Sequence, residues 1–157
     1  MPRTIYLIVY NSPLFPAHWA LWIPSLENPN IGKRIHAEGD VATGFQLSFD
    51  RNYDQTQESR SYKVLVLAEV ESHHVVDTPA NEINSVDRDP KDDIETVASR
   101  VPIPGPSLTS SAARTSRGTK VDIKNCQTWL VEVVDALHRE GIFDSNAVEV
   151  IKMAPKN

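Results

Sequence analysis

The side chains able to do covalent or proton-transfer chemistry in this chain are one cysteine, Cys126, and five histidines: His18, His36, His73, His74 and His138. Cys126 follows Asn125 and shares a helical repeat with Leu130, Val133 and Leu137, a spacing that places all four on one helix face. Asn125 is a favoured N-cap residue, so Cys126 falls in the first helical turn. Unpaired backbone N–H groups and the helix dipole favour a thiolate there. A free cysteine is otherwise a small buried hydrophobe, so the position gains meaning only if an imidazole reaches the sulfur.

His138 is excluded as that partner, because it lies more than three turns along the same helix, roughly 18 Å away at 1.5 Å per residue. His73 and His74 stand beside Glu69, Glu71 and Ser72 and read as a solvated strand end. His18 and His36 differ in kind. His18 opens the strand-like run His18-Trp19-Ala20-Leu21-Trp22-Ile23, and His36 lies within Arg34-Ile35-His36-Ala37-Glu38. On neighbouring strands, one imidazole would take the thiol proton while a second polar group orients that ring. Two histidines and a cysteine also suit a metal, but these lack the close ligand spacing of a structural zinc site. The chain has no glycine-rich phosphate loop, no His-Glu-x-x-His and no calcium loop, so neither metal nor cofactor is expected.

The elements that must position these residues are legible from pattern. Residues 4–10 are β-branched and aromatic and end at Asn11-Ser12-Pro13, which reads as a buried strand. Further strands are expected at 18–23, near 33–38, at 44–49 and at 61–70. Five short strands with hairpin-length connections predict a mostly antiparallel sheet. After Asp89-Pro90 an acidic first turn predicts a short helix to about Ala98. Residues 107–119, rich in Ser, Thr, Ala and Arg, are expected to form a mobile loop. A helix over 125–139 stops at Gly141, and a last one covers 145–153. The fold class is α+β: a small five-stranded sheet with helices packed on one side, in a single domain spanning 1–157.

A chain of 157 residues buries about two thirds of its unfolded surface. The net charge of −5 and scattered Lys and Arg argue against a nucleic-acid partner, which needs a basic stripe to release counterions. No apolar run is long enough to span a bilayer. A lone cysteine cannot make an internal disulfide, so a cytoplasmic location is expected.

His18-Trp19-Ala20-Leu21-Trp22-Ile23, then Ile35-His36-Ala37, then Asn125-Cys126-Gln127-Thr128-Trp129-Leu130 in that order resemble the lecithin:retinol acyltransferase family of circularly permuted papain-like (NlpC-type) thiol enzymes. The resemblance covers residues 4–40 and 121–140. It implies Cys126 as nucleophile, His18 as general base, His36 as the residue that orients His18, and the Cys126 N–H in an oxyanion hole. Gln127-Thr128-Trp129 replaces the family's Glu-His-Phe, and the chain's last residues form no apolar anchor. Peptidase, deamidating and deubiquitinating relatives share the same order, so the implied chemistry is wider than lipid acyl transfer.

The leading expectation is therefore a cofactor-free thiol hydrolase or acyltransferase acting on a small-molecule, amide or ester substrate, with Asn125, Trp22 and Trp129 as substrate contacts. A different class uses the same scaffold as a small-molecule isomerase or cyclase. There His18 does acid–base work without a covalent step, in an aromatic pocket formed by Trp19, Trp22, Phe45 and Trp129. A non-catalytic binding domain is the third.

Overall fold

Runs of β-branched and aromatic residues broken by Asn, Pro and Gly build the first half of the chain into strands. The computed structural model describes residues 2–11, 17–40, 42–105 and 125–156; the loop expected at 107–119 lies outside them. The strands are β1 (Pro2–Tyr10), β2 (His18–Pro24), β3 (Ile31–Asp40), β4 (Gly44–Asp54), β5 (Tyr62–Glu71) and β6 (Ser85–Asp87), and the helices α1 (Asp93–Arg100), α2 (Cys126–Arg139) and α3 (Ser145–Met153). They form one α+β unit with a six-stranded sheet in the order β5-β1-β2-β3-β4-β6, every neighbouring pair antiparallel. The expectation of five strands is corrected to six. β6 is three residues long and pairs only with β4, too short to show an alternating pattern of its own.

Successive side chains of a strand point to opposite faces, and this sheet treats its faces differently. Leu7 and Val9 of β1, Trp19 and Leu21 of β2, Ile35 of β3 and Phe49 of β4 share one core with Leu130, Val133 and Leu137 of α2. The helices pack on that side. On the other side Ile8, Tyr10, Ala20 and Trp22 form a separate buried cluster, flanked by Tyr6 and Tyr53. No helix joins that cluster among the described residues. The expected helix face of Cys126, Leu130, Val133 and Leu137 is buried throughout, and Gly141 takes a φ of 77° just past α2, as a helix-ending glycine does.

One irregularity redirects β4. Its register with β3 shifts between Gly32 and Arg34, where Asn52 adopts a φ of 50°, a conformation asparagine tolerates. Arg51 reaches α1 and Tyr53 packs edge-on against Trp22 at 6.2 Å. On the helix side, Lys33 Nζ stands 2.5 Å from Asp92 and 2.7 Å from Glu95. Arg51 bonds Glu95 through both terminal nitrogens. Asp92 is also the α1 N-cap, accepting from Glu95 N at 2.9 Å. α1 is thus anchored to β3 and β4 by buried charges that hydrogen-bond one another. No helix among the described residues is long and apolar enough to cross a membrane.

Candidate active site

The antiparallel run β2-β3-β4 sets His18, His36 and Asp50 on adjacent strands of the face away from the helices. In the register, Arg34 faces Asp50 and His36 faces Ser48, so these polar side chains alternate with apolar Ile35, Ala37 and Phe49. His36 Nε2 lies 3.0 Å from Asp50 Oδ2, and His36 Nδ1 lies 2.8 Å from His18 Nε2. Asp50 also accepts from Arg34 Nε at 2.6 Å and from Ser48 Oγ at 2.8 Å. His36 and Asp50 are buried, and His18 is partly open.

The Asp50 carboxylate fixes the first link of this chain. Burial opposes ionisation of Asp50, but the His36 hydrogen bond and the nearby His36 and Arg34 charges outweigh it and hold the carboxyl at about 2. An ionised carboxylate only accepts, so His36 Nε2–H donates to it. In a neutral His36, Nδ1 then accepts from His18 Nε2–H, which leaves the His18 Nδ1 lone pair free. No protein group among the described residues hydrogen-bonds that nitrogen. Burial, then His36, Arg60 and Arg34, pull the His18 pKa down to about 3, so the ring is neutral at physiological pH. It stacks on Tyr10 at 5.7 Å, and the Arg60 guanidinium lies 4.0 Å over the same Tyr10 ring. His18 opens into a cleft of about 840 Å³ whose wall includes His36, Glu38, Phe45, Gln46 and Arg60.

Cys126 does not take part, which corrects the expected Cys126–His18 dyad and with it the thiol hydrolase or acyltransferase reading. The thiol belongs to the helix-side core, whereas the His18 ring stacks on Tyr10, a member of the opposite cluster. Strand alternation puts the sheet between them. Cys126 Sγ faces the Ala17 carbonyl oxygen at 3.9 Å. Gln127 Nε2 donates to that same oxygen at 2.8 Å and to the Lys156 carbonyl at 2.9 Å, so the start of α2 is clamped onto backbone. Burial raises the Cys126 pKa, outweighing backbone hydrogen bonds from Trp19, Gln127 and its own N–H. The helix terminus therefore does not produce the activated thiolate that its position suggested.

Residues 5–144 match a family of unknown function, DUF6540. The chain belongs to that family. Neither curated proteins nor solved structures returned a match. The remaining expected contacts of this DUF6540 protein are dispersed. Asn125 caps α2, its side chain accepting from Gln127 N at 2.9 Å and Thr128 N at 3.1 Å. Trp129 is buried in the helix-side core and donates to the Val101 carbonyl at 3.2 Å. Trp22 lies across the sheet in the Tyr53 cluster. Trp19, Trp22 and Trp129 thus line no common pocket, and of the expected aromatic set Phe45 alone borders the histidine cleft.

Asp50, Arg34 and Arg60 escaped the reading of the sequence. The available signal was Arg34 and His36, then Ser48 and Asp50, each pair two residues apart in a strand: polar groups sharing one face need partners when buried. The DUF6540 chain carries a second cluster. His73 and His74, expected as a solvated strand end, meet Asp93 of α1, with His74 Nδ1 at 2.8 Å from Asp93 Oδ2. Cys126 is not part of that group either.

Proposed function

We propose that this chain is an acid–base enzyme acting on a small anionic molecule, an isomerase or cyclase in which His18 carries the proton. The observation that supports this reading is the hydrogen-bonded chain Asp50–His36–His18 ending at a cleft in an Nδ1 that no group among the described residues hydrogen-bonds. His18 Nδ1 would accept a proton from a substrate C–H or O–H while its Nε2–H stays donated to His36. The imidazolium so formed would be stabilised through His36 by the Asp50 carboxylate. His18 would then return the proton to a different atom of the same substrate, so that the reaction consumes none. Such general catalysis contributes roughly 10²–10⁴-fold.

The anionic character of the substrate is argued from Arg60 and Arg34. Their positive fields are among the causes that hold the His18 pKa down. Arg60 is bonded to Glu58 through Nε and Nη2, both at 2.9 Å, so an anion in the cleft would share that guanidinium, offset part of its field and raise the basicity of His18 once the substrate is bound. The proposal includes kinship with the permuted papain-like enzymes: the order of β2, β3 and the Asn125-capped α2 supports it, with the chemistry moved to the opposite face of the sheet.

The test is to incubate the protein with a panel of small carboxylates, keto acids and hydroxy acids in D₂O and follow deuterium uptake and rearrangement by mass spectrometry. Wild type and Cys126→Ser should convert the same compounds at similar rates. His18→Ala should lose about 100-fold or more, and His36→Gln a smaller factor. Conversion that survives His18→Ala would overturn the reading, as would conversion lost in Cys126→Ser.

A further inference from the structure

We infer that His73, His74 and Asp93 form a binding site for a divalent first-row transition ion such as Zn²⁺. His73 and His74 occupy a 3-10 turn (Ser72–His74) directly after β5, and Asp93 is the first residue of α1. The two imidazole rings are 3.9 Å apart between centroids. One donor atom from each of His73, His74 and Asp93 lies within 4.8 Å of the other two. In a tetrahedral site with metal–ligand bonds of 2.0–2.1 Å, donors stand about 3.3 Å apart. The donors therefore exceed that separation by about 1.5 Å at most, and rotation of exposed or half-buried side chains can complete the site.

The donor chemistry selects the class of ion. Two neutral imidazole nitrogens and one carboxylate oxygen suit zinc, cobalt or nickel, whereas calcium and magnesium require mostly oxygen ligands. Three protein ligands with His73 and Asp93 exposed leave a position for water. The backbone around the site is held in advance. Val75 N donates to Ser72 O at 3.1 Å, and Val76 N donates at 3.0 Å to Asp92, the residue before Asp93. Two segments far apart in sequence thus present their ligands at a set distance without the ion, which lowers the ordering cost of binding. None of these residues belongs to the His18–His36–Asp50 chain, so the inference stands apart from the proposed reaction.

The experiment uses the whole chain stripped with EDTA, titrated with ZnCl₂ by calorimetry and checked with the visible absorption of Co²⁺. We expect saturation at one ion per chain at micromolar zinc, and a higher Tm with zinc than without. His73→Ala, His74→Ala and Asp93→Asn should each weaken binding by roughly tenfold or more and remove the shift in Tm, whereas His18→Ala should change neither. Circular dichroism of the metal-free variants verifies folding, and exposed His73 and Asp93 decide the outcome if His74→Ala fails to fold. The inference is overturned if no stoichiometric binding occurs at micromolar zinc, if the three substitutions leave binding intact, or if His18→Ala abolishes it.

Discussion

At the scale of single residues, His18 and Cys126 do not form the pair that the sequence suggested. The histidine ends a hydrogen-bonded chain in a cleft, while the cysteine is a packed thiol whose ionisation burial opposes. Three pH effects follow. The His18 pKa falls from 6.5 to about 3 on folding, so between those values the unfolded chain binds a proton that the folded chain refuses. Stability then rises with pH across that window, by at most about 1.4 kcal/mol per pH unit. Urea unfolding of wild type at about pH 4.5 and about pH 6.5 should show this slope, and His18→Gln should flatten it. In kinetics of the proposed reaction, the substrate-free protein keeps His18 unprotonated well below the ordinary histidine range. The acid limb of kcat/KM should therefore fall below pH 6.5, and that of kcat, which reports the substrate complex, should lie higher. For Cys126, iodoacetamide labelling should be slow and its pH midpoint above the usual thiol value of about 8.5; rapid labelling at neutral pH would contradict the packing described.

At the scale of elements, α2 shows both the reach and the limit of reading a sequence. Its N-cap, buried face and glycine stop are all local properties, set by Asn125, by the Cys126–Leu137 repeat and by Gly141, and all three are present. Asn125→Ala removes the acceptor for two backbone N–H groups and should cost about 1 kcal/mol in denaturant unfolding. His18 and His36 were legible as members of neighbouring strands for a similar reason, since composition and alternation belong to each strand. Which face a helix far along the chain would cover is decided by tertiary packing, so the side of the sheet facing Cys126 was not legible. Asp50 was missed because the expected strand stopped at Phe49, whereas β4 runs on to Asp54, and because a carboxylate there has no meaning until β3 supplies its partners. α1 depends even more on distant residues: Glu95 is fully buried between Lys33 and Arg51. Glu95→Ala would leave Lys33 with Asp92 and Arg51 with only Asp87 and the Asp89 carbonyl, and should destabilise the fold by up to about 3 kcal/mol, measured against the exposed control Glu82→Ala.

At the scale of the whole molecule, the six-stranded sheet divides the labour of its two faces. The helix side holds most of the apolar core and the ionic anchor of α1; the other side holds the proton chain, the cleft and a smaller aromatic cluster. The proton chain draws only on β2, β3 and β4, consecutive neighbours in the sheet, so no contribution from α2 is required to assemble it. A consequence concerns how the chain tolerates mutation. From β1 through β4 as far as Asp50, odd-numbered residues face the helices and even-numbered ones face away. Neighbours one position apart should then fail for different reasons in a saturation library scored separately for abundance and turnover. Substitutions at Trp19, Ala37 and Phe49 should deplete the protein itself, whereas those at the half-buried His18 should leave it abundant but slow. On the even-numbered face the abundance score should in turn separate the buried Ile8, Tyr10, Ala20 and Trp22 from the residues that border the cleft.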